Sequence, residues 1–155
     1  MISNNRPFQP QDPDFAERVR ASFARQPFMA TLGARLARVA SGEVDIELPF
    51  RGELTQQHGF MHAGVVTAIA DTACGYAAYT LMPADAGVLS VEFKINLVAP
   101  AAGDTMIARG RVTRPGRTLT VCAGEVWAAT GGEETLVAAL LGTMMAVRGR
   151  LGIAG

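Results

Sequence analysis

Hydrophobic and polar positions along this chain follow two periods, and the change from one to the other marks out its elements. Residues 1–13 are polar and hold Pro7, Pro10 and Pro13, a loose lead-in. From Asp14 to Gln26, Phe15, Val19, Ala21 or Ser22, and Phe23 recur at helical spacing, with Asp14 placed as an N-cap. After Gly33 the period shortens to two. Ala34, Leu36 and Val39 lead into a Ser41-Gly42 turn, and Val44, Ile46 and Leu48 then alternate with Glu43, Asp45 and Glu47. This pattern predicts a hairpin that closes at Pro49. Arg51 to Met61 is polar, has Gly59 near its centre, and reads as a loop.

The run from Ala63 to Met82, AGVVTAIADTACGYAAYTLM, contains no Lys, Arg or Glu and stops at Pro83. As a helix it would span about 30 Å, which is also the thickness of a bilayer core. Asp71 at its middle opposes insertion, costing about 2.5–3.5 kcal/mol, and no basic residue closely flanks the run. A helix apolar on every side is then expected to be buried on every side. Four strands follow. Leu89, Val91, Phe93, Ile95 and Leu97 alternate with Ser90, Glu92, Lys94 and Asn96. Thr105–Arg114 and Thr118–Ala129 flank a Pro115-Gly116 turn, and Leu136–Val147 comes after Gly131-Gly132. The order is helix, two strands, long helix, four strands. A flat antiparallel sheet cannot bury such a helix, so the sheet must curl around it. The expected class is α+β, with a lead-in and short helix over 1–26 and one domain over 27–150.

Composition narrows the function classes. Hydrophobic residues are 49% and charged residues 18% of 155, a globular balance. Basic and acidic residues number 14 each, so the formal charge is zero. No basic run or aromatic-basic interleaving offers a nucleic-acid footprint. The N-terminus lacks a basic segment followed by an apolar one, so no secretory signal is expected. Cys74 and Cys122 sit in apolar runs without metal-ligand spacing and read as reduced core residues of a cytoplasmic protein.

Chemistry concentrates on the long helix. A carboxylate in a dry helix must be protonated, paired or open to a cleft, and no basic residue lies within a turn of Asp71. It is a neutral or hydrogen-bonded core group, a dimer-contact group, or a functional carboxylate lining a cleft, and the last reading is preferred. At the helix start, His62, Ala63 and Gly64 present free backbone N–H groups suited to an oxyanion or phosphate, with small side chains that admit a carbonyl. Nine residues separate His62 from Asp71, about 13.5 Å along the axis and half a turn out of phase. They cannot meet within one chain. A site using both requires a symmetric dimer.

Three segments, QQHGFMHAGVVTAIADTACGYAA (56–78), LSVEFKINLVAPAAGD (89–104) and GRVTRPGRTL (110–119), resemble the hotdog-fold acyl-CoA thioesterases of the phenylacetate-degradation, PaaI-like branch. The resemblance covers about residues 27–148. It implies one long helix wrapped by a six-stranded antiparallel sheet, in a homodimer or dimer of dimers whose subunits pair sheet to sheet. Asp71 matches the catalytic Asp, nucleophile or general base. His62 matches the helix-start His that fixes the thioester carbonyl. The Gly whose N–H polarises that carbonyl is Ala63 here, and the Asn six residues before the His is Gln56. Gly64 falls among the substrate-binding positions, and Arg117 falls where relatives contact the coenzyme A tail. Ser90 matches a Ser or Thr that positions the hydrolytic water. Strict alternation, however, puts Ser90 on the face away from the helix, so that role requires a twist or bulge at the strand start. His58 has no role in the family and reads as a loop residue.

The expected activity is hydrolysis of acyl-CoA with no metal or redox cofactor and no nucleic-acid or membrane partner. Hotdog dehydratases need a His with an acidic partner, which neither His58 nor His62 provides. The alternative from another class is a non-catalytic acyl-CoA binder, a sensor or scaffold, which has no need of Asp71.

Overall fold

The computed structural model describes residues 8–153; Pro7 and the rest of the expected lead-in before Phe8 lie outside that range. Its elements are α1 (Phe15–Ala24), α2 (Pro27–Leu32), β1 (Arg35–Ala40), β2 (Glu43–Pro49), a 3₁₀ turn (Gly52–Leu54), α3 (Ala63–Tyr79), β3 (Ala86–Leu97), β4 (Thr105–Arg114), β5 (Leu119–Thr130) and β6 (Glu133–Arg148). The six strands form one antiparallel sheet in the order β1-β2-β4-β5-β6-β3. It curls around α3, as the hotdog expectation required.

The two faces of the sheet differ in chemistry because side chains alternate along each strand. Val44, Ile46 and Leu48 of β2 and Met106 and Ala108 of β4 are buried toward α3. On the other face Arg111 pairs with Asp45 at 2.6 Å and Arg109 with Glu134 at 2.8 Å. Half-exposed pairs on a solvated face contribute little stability. The core is carried by the inner face.

How close α3 comes to the sheet is set by two glycines. A Cβ at Gly110 of β4 would lie 2.3 Å from the Ala73 carbonyl and 2.6 Å from Cys74 N, and one at Gly124 of β5 would lie 2.7 Å from Cys74 Sγ. The helix answers with small buried side chains, Ala70, Ala73, Cys74 and Ala77. Both cysteines are free and buried, and burial pushes the Cys122 thiol up to about 12.

Two expectations about α3 are corrected. The helix ends at Tyr79, not Met82, because Leu81 N and Met82 N turn back to the carbonyls three residues earlier and Thr80 Oγ1 accepts from Gly42 N at 2.8 Å. The orphan carbonyls at this end go to Arg18 of α1, which donates to Tyr79 O and Met82 O at 3.0 and 2.9 Å and pairs with Asp12 at 3.2 Å. Burial on all sides holds only from Ala73 onward, whereas the first half of α3 has a half-exposed flank that includes Val65, Ala68 and Asp71. Helix α2 was not anticipated, although Pro27 at its start and left-handed Gly33 (φ 78°) after its end are standard signals. Asp14 stands at the α1 cap position, but its side chain makes no cap bond.

Strand β3 forms one edge of the sheet and carries a break in its alternation. Ser90 pairs with Met144 and Glu92 with Thr143, so Val91 is an extra residue, a β-bulge. Phe93, Ile95 and Leu97 pair with Gly142, Leu140 and Ala138 on the helix side of β6. The bulge brings Ser90 to that same face, and it sends Leu89 to the outer face opposite Met145.

The glycine approach gives a direct stability test. Gly110→Ala should cost about 2–3 kcal/mol, an overpacking penalty the helix backbone cannot relieve, measured by urea unfolding. A loss below about 0.5 kcal/mol would mean that α3 is not held by this contact.

Candidate active site

The site residues fall into two groups at opposite ends of β3. The first is built on the open flank of α3. Ser90 Oγ donates to Asp71 Oδ1 at 2.7 Å. This contact is possible only because of the bulge at Val91. Asp71 is half-buried, and burial raises its pKa above the ordinary carboxylate value, with the Ser90 hydrogen bond opposing the shift. Its second oxygen has no partner among the described side chains and stays available. Asp71, Thr72 and Ser90 line a cavity of about 390 Å³ that continues along Gly75, Tyr76 and Tyr79.

The second group is at the start of α3, where the preceding loop is pinned at several points. Met61 N donates to Ala101 O at 2.9 Å and His62 N to Leu54 O at 2.9 Å. His62 is the N-cap, and its Nδ1 accepts from Gly64 N at 2.8 Å. An accepting Nδ1 puts the proton of the neutral imidazole on Nε2, which then points outward as a donor. The Gly64 N–H is therefore used internally. The Ala63 N–H has no acceptor among the described residues and is the free helix-start donor. The absence of a side chain at Gly64 leaves room for this cap, since a Cβ there would lie 3.0 Å from His62 Nδ1 and crowd the imidazole. Gln56 Oε1 accepts from His58 N, which leaves the Gln56 amide NH₂ to donate elsewhere. Gln56 and Ala63 line a second cavity of about 270 Å³, together with Leu97, Ala99 and Val137.

The structure thus brings Asp71 together with Ser90, and Gln56 together with His62, Ala63 and Gly64. It does not join the two groups within one chain. Arg117 belongs to neither, lining a separate cavity of about 260 Å³ with Pro83 and Thr120 near the C-terminal end of α3. His58 lies in the loop beside Gln56 and makes a long contact to Gln57 Nε2 at 3.4 Å. Among the described residues no group of three His, Cys, Asp or Glu side chains could hold a metal ion, and no helix is long and apolar enough to cross a membrane.

A family profile described as "Thioesterase superfamily" matches residues 58–135, which include α3 and strands β3, β4 and β5. The chain belongs to the thioesterase superfamily. A thioesterase family protein from Silicibacter pomeroyi superposes with a TM-score of 0.86 at 50% identity, over 87% of this chain and 99% of that one. The PaaI protein of the E. coli phenylacetic acid degradation operon superposes at 0.79 with 20% identity, over 88% and 96% of the two chains, a likeness in fold. A Saccharolobus solfataricus protein provisionally named an esterase is 30% identical over 90 residues, 58% of this chain. The chain spans 64% of that curated relative's length.

The environment of Asp71 makes a prediction independent of catalysis. Its pKa is raised on folding, so the folded chain keeps a proton over a pH window in which the unfolded chain has lost it. Stability due to this group therefore falls as pH rises from the unfolded value, about 3.9, through the folded one, and is flat above it. Asp71→Asn, which removes the charge and can still accept from Ser90, should be more stable than wild type at neutral pH. That gain should vanish below the unfolded value. Urea unfolding of both proteins across the range measures it, and an Asp71→Asn protein no more stable at neutral pH would contradict the burial argument.

Proposed function

We propose that this protein hydrolyses acyl-CoA thioesters as a homodimer, with each active site assembled from both subunits. The observation that carries the reading is the placement of the two half-sites at either end of one open strand edge. From Ser90 to Leu97 is seven residues, about 23 Å of strand. The free edge of β3 presents unpaired backbone groups flanked by apolar side chains, with Leu97 and neighbouring Val98 53% and 54% exposed. Such an edge is a template for pairing. A two-fold axis pairs it antiparallel with its own copy, setting the Ser90 end of one strand against the Leu97 end of the other. The Asp71 cavity of one subunit then faces the Gln56 and Ala63 cavity of its partner.

In that arrangement the chemistry is divided between subunits. The partner's Ala63 N–H, Gln56 amide and His62 Nε2–H surround the thioester carbonyl and stabilise the oxyanion that forms on it. Asp71, made more basic by burial and held through Oδ1 by Ser90, uses its free oxygen on the carbonyl carbon side. As general base it takes a proton from water, whose oxygen attacks the carbonyl. The tetrahedral intermediate then expels the coenzyme A thiolate, which recovers that proton. As nucleophile it forms an acyl anhydride that water opens, with the same products. Ser90 fits either route, since its hydroxyl fixes the carboxylate and borders the space where water stands. Arg117, on the rim of its own cavity, is assigned to the coenzyme A tail on resemblance alone.

Release of free thiol from short, medium, long and aryl acyl-CoAs tests the reading. Turnover is expected, and Asp71→Asn should lower it by about 10²–10⁴ while the fold persists. Gln56→Ala should cost less, and His62→Ala less again, because backbone donors remain. No turnover of any thioester would leave a binding protein, and activity of Asp71→Asn within a few-fold of wild type would make the carboxylate structural.

A further inference from the structure

Helix α3 contains two glycines, Gly64 beside its cap and Gly75 in its interior. Glycine in a helix interior weakens the helix relative to alanine, so its presence there calls for a reason. In the sheet the reason is contact, because a Cβ at Gly110 or Gly124 would collide with α3. At Gly75 that reason is missing. Its backbone is ordinary right-handed helix, which needs no glycine. The residue is buried, yet a Cβ built on it would meet nothing within 4 Å outside its own stretch of helix. The missing side chain therefore leaves a gap that no described part of this chain fills.

That gap belongs to the cavity beside Asp71. Gly75 stands four residues past Asp71, so the two share a face of α3, about 6 Å apart along the axis. Both line the same cavity of about 390 Å³. Beyond Gly75 its wall is held in place by the α1–α2 junction. The Tyr76 hydroxyl is bonded to Ser22 Oγ and accepts from Gln26 Nε2, each at 3.1 Å. The Tyr76 ring packs against Phe23 and Tyr79, with centroids 5.9 and 6.0 Å away. On the near side Ile153 covers Gly87, where a Cβ would lie 2.6 Å from its Cγ2. The space at Gly75 thus lies between fixed walls. With the Tyr76 hydroxyl satisfied and no side chain at position 75, a hydrocarbon segment suits it.

We propose that the substrate's acyl chain runs over Gly75 and that the bare backbone there sets which chains fit. A carbonyl carbon held at Asp71 directs its chain along α3 into the space that a side chain at position 75 would take. Medium-length hydrocarbon acyl groups are accepted because that position is glycine. A larger residue would restrict the enzyme to acetyl and similarly short groups. Gly75 is then a specificity-determining residue with no part in bond making, an assignment that rests on the thioesterase reading above.

The test measures kcat/KM for hexanoyl-CoA and acetyl-CoA with wild type, Gly75→Ala and Gly75→Val. The hexanoyl-to-acetyl ratio should fall by about tenfold or more in Gly75→Val, mainly through the KM for hexanoyl-CoA, and by less in Gly75→Ala. Gly75→Ala should unfold at or above the wild-type temperature, since a better helix former enters open space. An unchanged ratio would overturn the proposal. So would an equal loss on both substrates, which would assign the space to coenzyme A. A lower Tm for Gly75→Ala, or loss of a wild-type dimer in Gly75→Val by light scattering, would also overturn it, because protein would then already fill the gap. If wild type cleaves neither thioester, the thioesterase reading fails separately. Calorimetric Kd values for the same two compounds on the same three proteins then decide the role of Gly75 by the same ratio.

Discussion

Everything in this structure depends on how closely α3 can approach the sheet. At Gly110 and Gly124 the strands have no side chain to hold the helix away, and the helix meets them with Ala70, Ala73 and Cys74. Backbone-to-backbone packing of this kind leaves little room for adjustment, because interiors are dense and one added methyl has to displace something. It fixes both the depth and the rotation of α3. One side of the helix sinks into the curled sheet, and the side carrying Asp71 is left along the open flank beside β3. The carboxylate is then buried enough to be more basic than usual and open enough to reach a substrate. Arg18 holds the other end of the helix by taking the carbonyls of its last turn.

The same geometry separates the two kinds of chemistry a thioesterase needs. Oxyanion donors belong at a helix start, where N–H groups are unpaired, and a basic carboxylate belongs in the drier middle of a helix. One helix can provide both but cannot bring them together. In the proposed dimer symmetry resolves this, and an unpaired edge strand, ordinarily a liability, becomes the seam along which complementary halves meet. Under that proposal the exposed apolar residues of β3 and the two cavities at its ends have one common explanation.

Much of this was legible in the sequence, for identifiable reasons. The six-strand sheet followed from clean period-two alternation, and the long helix from a run of small and apolar residues that Pro83 ends. Asp71 stood out because nothing near it in sequence could neutralise it. What escaped were features set by non-local contacts. The end of α3 at Tyr79 depends on Arg18, Gly42 and Thr80, which are far apart in sequence. The orientation of Ser90 depends on a single-residue bulge at Val91, and alternation alone points the other way. Which helix-start N–H is free depends on His62 Nδ1 taking the one at Gly64, a choice that only side-chain geometry reveals. Helix α2 was missed despite its Pro27 and Gly33 signals because six residues are too few to show a period. The wall that the α1–α2 junction adds to the Asp71 cavity could not be read from a segment whose hydrogen-bond partner, Tyr76, lies 50 residues from Gln26 and 54 from Ser22.

The central claim is that one active site draws Asp71 from one subunit and the helix-start donors from the other. Subunit exchange between an Asp71→Asn protein and a His62→Ala, Gln56→Ala double mutant tests it most directly, with hybrid formation verified by native mass spectrometry. Each parent should be nearly inactive. An equimolar mixture should recover about a quarter of wild-type activity per subunit, because half of randomly paired dimers are hybrids and each of these has one intact site. Hybrids that form but recover no activity would show that the two groups never share a site.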